Sequence, residues 1–255
     1  MRARFAEEWV IFLLAVQFLT RLPVPRDPGW CEARMEATPR WYPAVGAVVG
    51  AIAAFVFLLA AKIFDGALVP VLLSTAAGII ATGAFHEDGF ADCCDGLGGA
   101  VTRERALEIM RDSRLGTYGA AGLGLLLAVK VAALSGIAPA LLPAVLIAGH
   151  AASRTSSVLA IATSEYVRDH GTGKPIARGT SGLLLAVAFG VAALIPLALI
   201  AGGQVAAAAL LGLVLGHVAM RRVFERRLGG YTGDCLGAVQ QVSETGLYLG
   251  VLALV

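Results

Sequence analysis

Apolar residues come in long blocks broken by short polar segments, a pattern that predicts membrane-crossing helices rather than a soluble core. Crossing the hydrocarbon layer takes about 20 apolar residues, with a range of roughly 17–25. Blocks of that kind occupy 43–63, 67–85, 119–136, 138–152, 182–201 and 204–220, and a more polar one occupies 236–255. The fourth is short, but SGIAP at 135–139 marks a tight turn that separates it from the third. Residues 9–22 are too few for a confident span. They predict an interfacial or re-entrant helix, stopped by the three prolines of RLPVPRDP. The expected fold is all-α, a polytopic integral membrane helical bundle of six or seven spans, built as a single domain over 1–255.

The connecting segments alternate in charge. Turns near 64–67, 136–139 and 202–204 are short and hold only Asp65. The segments 21–43, 86–118, 153–181 and 221–235 each hold four basic residues, together 16 of the 20 Lys and Arg. Arg168, Lys174 and Arg178 belong to the third of these. Such an excess marks cytoplasmic loops, so this set is expected to face the cytoplasm. Topology alone could explain several of these arginines. It does not explain why the acidic and glycine-rich motifs fall in the same segments. One face is therefore expected to carry an active site and the other to be closed.

Composition sharpens this. Of 255 residues, 58% are hydrophobic and 15% charged, with a mean hydropathy of +0.78. Soluble domains carry about 25% charge. A net charge of +2, with no basic stretch interleaved with aromatics, gives no sign of nucleic-acid binding. Membrane lipids are the expected surroundings. The cysteines Cys31, Cys93, Cys94 and Cys235 form no CxxC pair, which fits a reducing, cytosol-facing setting. His86 with Cys93, Cys94 and Cys235 is a conceivable soft-metal set, against the simpler reading of small buried side chains. No cleavable signal is expected, since Glu7 and Glu8 precede a short apolar run. The absence of an internal sequence repeat argues against a repeat-built transporter.

The run HEDGFADCCDGLGG at 86–99 holds Glu87, Asp88, Asp92 and Asp95 with no Lys or Arg among them. Like charges this close need a cation or must take up protons. Oxygen ligands favour hard ions such as Mg²⁺, Mn²⁺ or Ca²⁺. In a helix, Asp88, Asp92 and Asp95 would share one face, and Gly89 and Gly96 would allow a close backbone approach. A solvated acidic loop is the plainer alternative.

Other polar groups join this run. In TRERALEIMRDSRLGTYG at 102–119, Thr102 is a candidate N-cap and 103–112 fit a short amphipathic surface helix. Arg105, Arg111 and Arg114 could bind phosphate, Arg being suited to bidentate contacts. Asp112 and Ser113 share the glycine-flanked end of that segment. A solvated face of helix ion pairs would look the same. Lys130 lies inside LLLAVKVAAL, where a charge costs about 2.5–3.5 kcal/mol on insertion scales, so it is expected to pair with a carboxylate or a substrate anion. Arg154, near His150 and Ser153, could meet a phosphate or cap a helix end. His217 reads as an interior histidine. GGYTGDCLGA at 229–238 could deliver Asp234 to a metal, cradle a phosphate on backbone amides or merely cap a helix. Gln240, Gln241, Ser243 and Glu244 follow in an otherwise apolar segment and suggest a lined site.

No GxSxG, P-loop, HExxH or GxGxxG pattern is present. Clustered carboxylates, a separate Asp234 and many arginines on one membrane face instead point to an Mg²⁺-dependent phosphotransferase acting on an activated diphosphate. They do not name the acceptor.

Five pieces carry a resemblance: FLLAVQFLTRLPVP at 12–25, RWYPAVGAVVGA at 40–51, FHEDGFADCCDGLGG at 85–99, RERALEIMRDSRLGTYG at 103–119 and GGYTGDCLGA at 229–238. In that order they resemble the cobalamin synthase family, the adenosylcobinamide-GDP ribazoletransferases, over about residues 12–246. The family would have an apolar residue at Glu87 and small or hydroxyl residues at Cys93 and Cys94. The resemblance implies that the 3′-hydroxyl of α-ribazole, or of its 5′-phosphate, attacks the cobinamide-linked phosphorus of adenosylcobinamide-GDP, releasing GMP. It implies Mg²⁺, or Mn²⁺, on Asp88, Asp92 and Asp95, with Asp234 as a further ligand or base; Glu87, a departure from the family, could add a carboxylate. Catalytic roles then fall to Asp92, Asp95, Asp234 and His86. Substrate and phosphate contacts fall to Arg105, Arg111, Asp112, Ser113, Arg114, Lys130, Arg154, Gln240 and Glu244. The setting would be the inner membrane of a prokaryote, with the site facing the cytoplasm; a homo-oligomer stays open. Two alternatives remain. A CDP-alcohol phosphotransferase would want DGxxAR, but Asp95 and Gly96 are followed by Leu97 and no Arg. A metal or corrinoid transporter would want its acids at mid-membrane, not at a loop boundary.

Overall fold

The computed structural model describes residues 2–168, 176 and 182–255, and every element among them is helical. Lys174 and Arg178 lie outside the described residues. Helix α1 (Arg2–Leu19) stops where Thr20 turns its hydroxyl back onto the Val16 carbonyl and the prolines begin. It is longer than the 9–22 segment suggested. A short α2 (Glu32–Ala37) and a 3-10 turn at Thr38–Trp41 lead into α3 (Tyr42–Ala60), which carries a proline in its first turn, where no N–H is needed. Then come α4 (Leu68–Thr82), α5 (Phe85–Gly99), α6 (Arg103–Ile109), α7 (Thr117–Ser135) and α8 (Leu142–Thr163). The chain ends with α9 (Leu183–Ala192), α10 (Ile195–Ala201), α11 (Gly203–Leu228) and α12 (Gly233–Leu252).

Among the described residues, five helical stretches are long and apolar enough to cross a membrane, and six if the bent pair α4–α5 counts as one. That meets the lower end of the expectation. The block at 67–85 does not run straight: Gly83 (φ 66°) and Ala84 (φ 59°) are both left-handed, and α5 leaves α4 at 90°. The block at 138–152 is one part of α8, which runs on to Thr163 through Ser153–Ser157. α12 has the length of a span without the apolar composition.

Small residues set the packing. Gly46 and Gly50 bring α3 against the α8 backbone at His150–Ala151 and Leu146–Ile147. α12 runs antiparallel along α11, with Gly212 on Gly246, Gly216 on Val242 and Gly250 on Ala208, where any added Cβ would overlap backbone. Such small-residue contacts let helices gain close van der Waals packing where no hydrophobic force operates.

Two apolar cores result. One holds Tyr42, Phe90, Ile161, Phe224, Tyr231 and Val239; the other holds Phe57, Leu134, Leu142, Leu213, Tyr248 and Val251. Along both α8 and α12 a polar layer separates them, with Ser153, Arg154, Gln240, Gln241 and Glu244 all buried.

Candidate functional site

Helix α5 places the acidic run, and its surroundings sort the acids by role. Asp88 is exposed and Asp92 half-buried, one helical turn apart. Neither has a hydrogen-bond or ion-pair partner among the described residues. Facing them is the start of α12. Thr232 caps that helix by accepting from the Cys235 N–H, which puts Asp234 in its first turn. Gly89 makes the approach possible: a Cβ there would lie 2.8 Å from the Asp234 carbonyl oxygen and 3.0 Å from its Cα. Gly237 does the same one turn on, against the His86 backbone. Asp92 lies within electrostatic reach of Asp88, Asp234 and Arg168. The structure thus brings Asp234 beside Asp88 and Asp92, three of the four acids expected together.

Arg168 was counted above only as a topological charge. Its Nη2 donates to Asp234 Oδ2 at 2.7 Å and to the Met110 carbonyl at 3.3 Å. The segment that carries it is held by a bridge between Tyr166 and Tyr231: the Tyr231 N–H donates to the Glu165 carbonyl and the Val167 N–H to the Tyr231 carbonyl. Gly230 leaves room for that contact. No spacing rule links residues 66 positions apart, so Arg168 was not legible as a site residue. Arg111 stands near Tyr166 at the edge of this face.

Asp95 is on the expected face but is committed elsewhere. Its two oxygens accept the backbone N–H groups of Gly116 and Gly119, each at 2.8 Å, at the N-terminus of α7. It caps that helix, so its reading as a metal ligand and catalytic group gives way to an anchoring role. Glu87 points to the other side of α5, buried, accepting from Gln241 Nε2 at 2.8 Å. It does not add to the aspartates.

The polar layer gathers a second group. Lys130 Nζ donates to Gln241 Oε1 at 2.6 Å and pairs with Glu244 Oε1 at 3.0 Å. Glu244 also accepts from Gln240 Nε2 at 2.6 Å and from the Tyr248 hydroxyl at 3.2 Å, and His150 Nδ1 lies 3.2 Å from it. Arg154 Nη1 donates to the His150 carbonyl at 2.7 Å. His86, Glu87, Lys130, Arg154, Gln240 and Glu244 line one small cavity here, about 20 Å³, room for one or two waters. Lys130, Arg154, Gln240 and Glu244, expected at the substrate, and His86, expected to be catalytic, lie together in this buried layer. Lys130 finds its carboxylate as expected, and that carboxylate is Glu244.

On the surface, Arg105 pairs with Glu108 at 2.7 Å, both exposed. Arg114 Nε donates to Asp112 at 3.0 Å, and that guanidinium holds the Asp112 carboxyl down at about 2. Ser113 is exposed beside them. Thr102 caps α6, accepting from the Arg105 N–H, as its position predicted.

The soft-metal set does not form. The Cys93 and Cys235 thiols are 3.9 Å apart and buried, and all four cysteines are free. Among the described residues no three His, Cys, Asp or Glu groups stand close enough to hold an ion together. Oxygen chemistry nevertheless suits Asp88 and Asp92: two carboxylates one turn apart, without a hydrogen-bond or ion-pair partner among the described residues and opposite a third, are the donor type a hard cation takes.

Comparison with known proteins gives this arrangement a family. Residues 11–252 match the family model described as cobalamin-5-phosphate synthase. An adenosylcobinamide-GDP ribazoletransferase of Leptothrix cholodnii is 46% identical over 261 residues, covering 98% of both chains. One of Ralstonia pickettii is 42% identical over 252 residues, covering 97% of this chain and 96% of its own. One of Shewanella frigidimarina is 41% identical over 251 residues, covering 96% and 94%. No solved structure matches. The family match spans nearly every helix, including the α5–α12 crossing that carries the acids, and the chain belongs to the cobalamin-5-phosphate synthase family.

Proposed function

We propose that this chain joins the two halves of the cobalamin nucleotide loop at the membrane surface. The 3′-hydroxyl of α-ribazole, or of α-ribazole 5′-phosphate, attacks the cobinamide-linked phosphorus of adenosylcobinamide-GDP. The new P–O bond replaces the bond to the GMP oxygen, GMP leaves, and the hydroxyl proton is lost to a base. The product is adenosylcobalamin or its 5′-phosphate. The observation that carries this reading is the meeting of Asp88 and Asp92 with Asp234 across Gly89, inside a chain matched end to end by ribazoletransferases.

Asp88, Asp92 and Asp234 would hold Mg²⁺, with Mn²⁺ as a substitute; the bound ion would neutralise diphosphate charge and stabilise the leaving oxygen. Arg168 and Arg111, at the same face, are placed to bind diphosphate oxygens, arginine giving paired donors. Asp92, half-buried and without a hydrogen-bond or ion-pair partner among the described residues, is the group best placed to take the hydroxyl proton. The 16 basic residues in alternate segments support a site on the cytoplasmic side of a prokaryotic inner membrane.

The test is GMP release from adenosylcobinamide-GDP and α-ribazole by the purified protein, with and without Mg²⁺. Turnover should need the ion, and Asp92→Asn should reduce it by at least about a hundredfold while the protein stays folded. Near-normal turnover in Asp92→Asn would remove that residue from the mechanism. Release unaffected by chelation would remove the metal.

A further inference from the structure

Arg168 occupies an unusual position. It is 13% exposed, shares Asp234 at 2.7 Å, and its Nε is buried with no partner. Across from it the Asp88 and Asp92 carboxylates have no hydrogen-bond or ion-pair partner among the described residues, and its charge reaches Asp92 as well as Asp234. The three acids are neighbours, yet they do not close on a common point. The charged group engaged with Asp234 is the Arg168 guanidinium.

We infer that Arg168 is a resident counter-ion of the acidic face, giving up Asp234 to an arriving divalent cation and turning its donors to the diphosphate. This rests on the reading of Asp88, Asp92 and Asp234 as the cation site. A guanidinium suits both states. It neutralises a carboxylate without being held by it alone, and its planar fork matches phosphate oxygens. The unpartnered Nε is then a donor kept for the incoming phosphate. The Met110 carbonyl supplies a second hold, so the side chain need not leave the site when Asp234 lets go.

While paired with Asp234 the Arg168 charge opposes an arriving cation. Removing its charge must strengthen cation binding in the absence of substrate. The experiment counts free Mn²⁺ by electron paramagnetic resonance against the full-length protein in detergent, with no nucleotide present. Arg168→Gln keeps an amide for Met110 and loses the charge. It should bind Mn²⁺ about tenfold tighter than wild type, because an opposing charge at contact distance is gone. In the presence of Mn²⁺ it should bind inorganic pyrophosphate more weakly. Arg168→Lys, which keeps the charge, should bind Mn²⁺ as wild type does. Unchanged or weaker Mn²⁺ binding by Arg168→Gln, with a wild-type melting curve, overturns the inference.

A second measurement needs no variant. Phenylglyoxal modification of Arg168 in the wild-type protein, read by peptide mass spectrometry, should speed up several-fold on adding Mn²⁺; no change again overturns it. Asp92→Asn separates the two levels of the argument. If it binds Mn²⁺ as wild type does, the cation-site reading falls and the inference with it. If it loses Mn²⁺ while Arg168→Gln gains nothing, only the inference falls.

Discussion

Asp92 and Asp95 stand three residues apart on one helix face and do different work. Asp92 has no hydrogen-bond or ion-pair partner among the described residues; Asp95 receives two backbone N–H groups at the start of α7. Asp95→Ala leaves both donors without a partner at a buried helix end and should cost about 2 kcal/mol, seen as a lower melting temperature in detergent. Asp92→Asn should melt as wild type does. If Asp95→Ala melted normally yet lost all turnover, Asp95 would rejoin the reaction centre. The spacing of Asp88, Asp92 and Asp95 was legible because it needs only helical periodicity. What faces each of them was not, since α7 comes to Asp95 from 21 residues downstream. Arg168 was hidden for the same reason: its partner is set by the Tyr166–Tyr231 bridge, which no local pattern announces.

Between elements, the crossing of α5 and α12 decides whether the acids meet. Gly89 and Gly237 are the contact points, and at Gly89 the facing atoms are backbone that cannot swing aside. Gly89→Ala should therefore push the helices apart and cut turnover by more than about tenfold, since ångström-scale misplacement is costly in catalysis. The loss should fall on kcat more than on KM for the ribazole. An unchanged kcat would mean the crossing has slack. Helix positions were mostly legible from apolar blocks and from the cap Thr102, whereas at α12 the cap is Thr232 and not the Asp234 that the sequence offered. The ends of α8 were not. Ser153–Ser157 reads as a loop because it is polar, yet all five residues are buried inside a helix. The bend at Gly83–Ala84 was also unseen, because Ala84 is a residue that rarely turns left-handed.

Across the whole molecule, the layer around Glu244 divides the two apolar cores. Lys130, His150, Gln240 and Tyr248 all converge on that carboxylate. Breaking one partner of a buried pair costs about 3–5 kcal/mol, because a lone charge is left behind. Lys130→Met should lower stability by about that much, measured as unfolding in detergent, and adding Glu244→Gln should restore part of it. Additive losses would show that the pair does not act as a unit. The same layer explains why a span count from hydropathy is uncertain here, since α12 carries these groups and gains its place by lying along α11. Helix α5 is thereby fastened at both extremities, through Glu87 to Gln241 and through Asp95 to the head of α7. Its midsection lies between these two anchors, whereas the segment opposite is joined to the chain before α12 by the short two-tyrosine bridge and by Arg168. Tolerance for altered nucleotides should accordingly evolve in residues 165–168, leaving the acid-bearing helix unaltered.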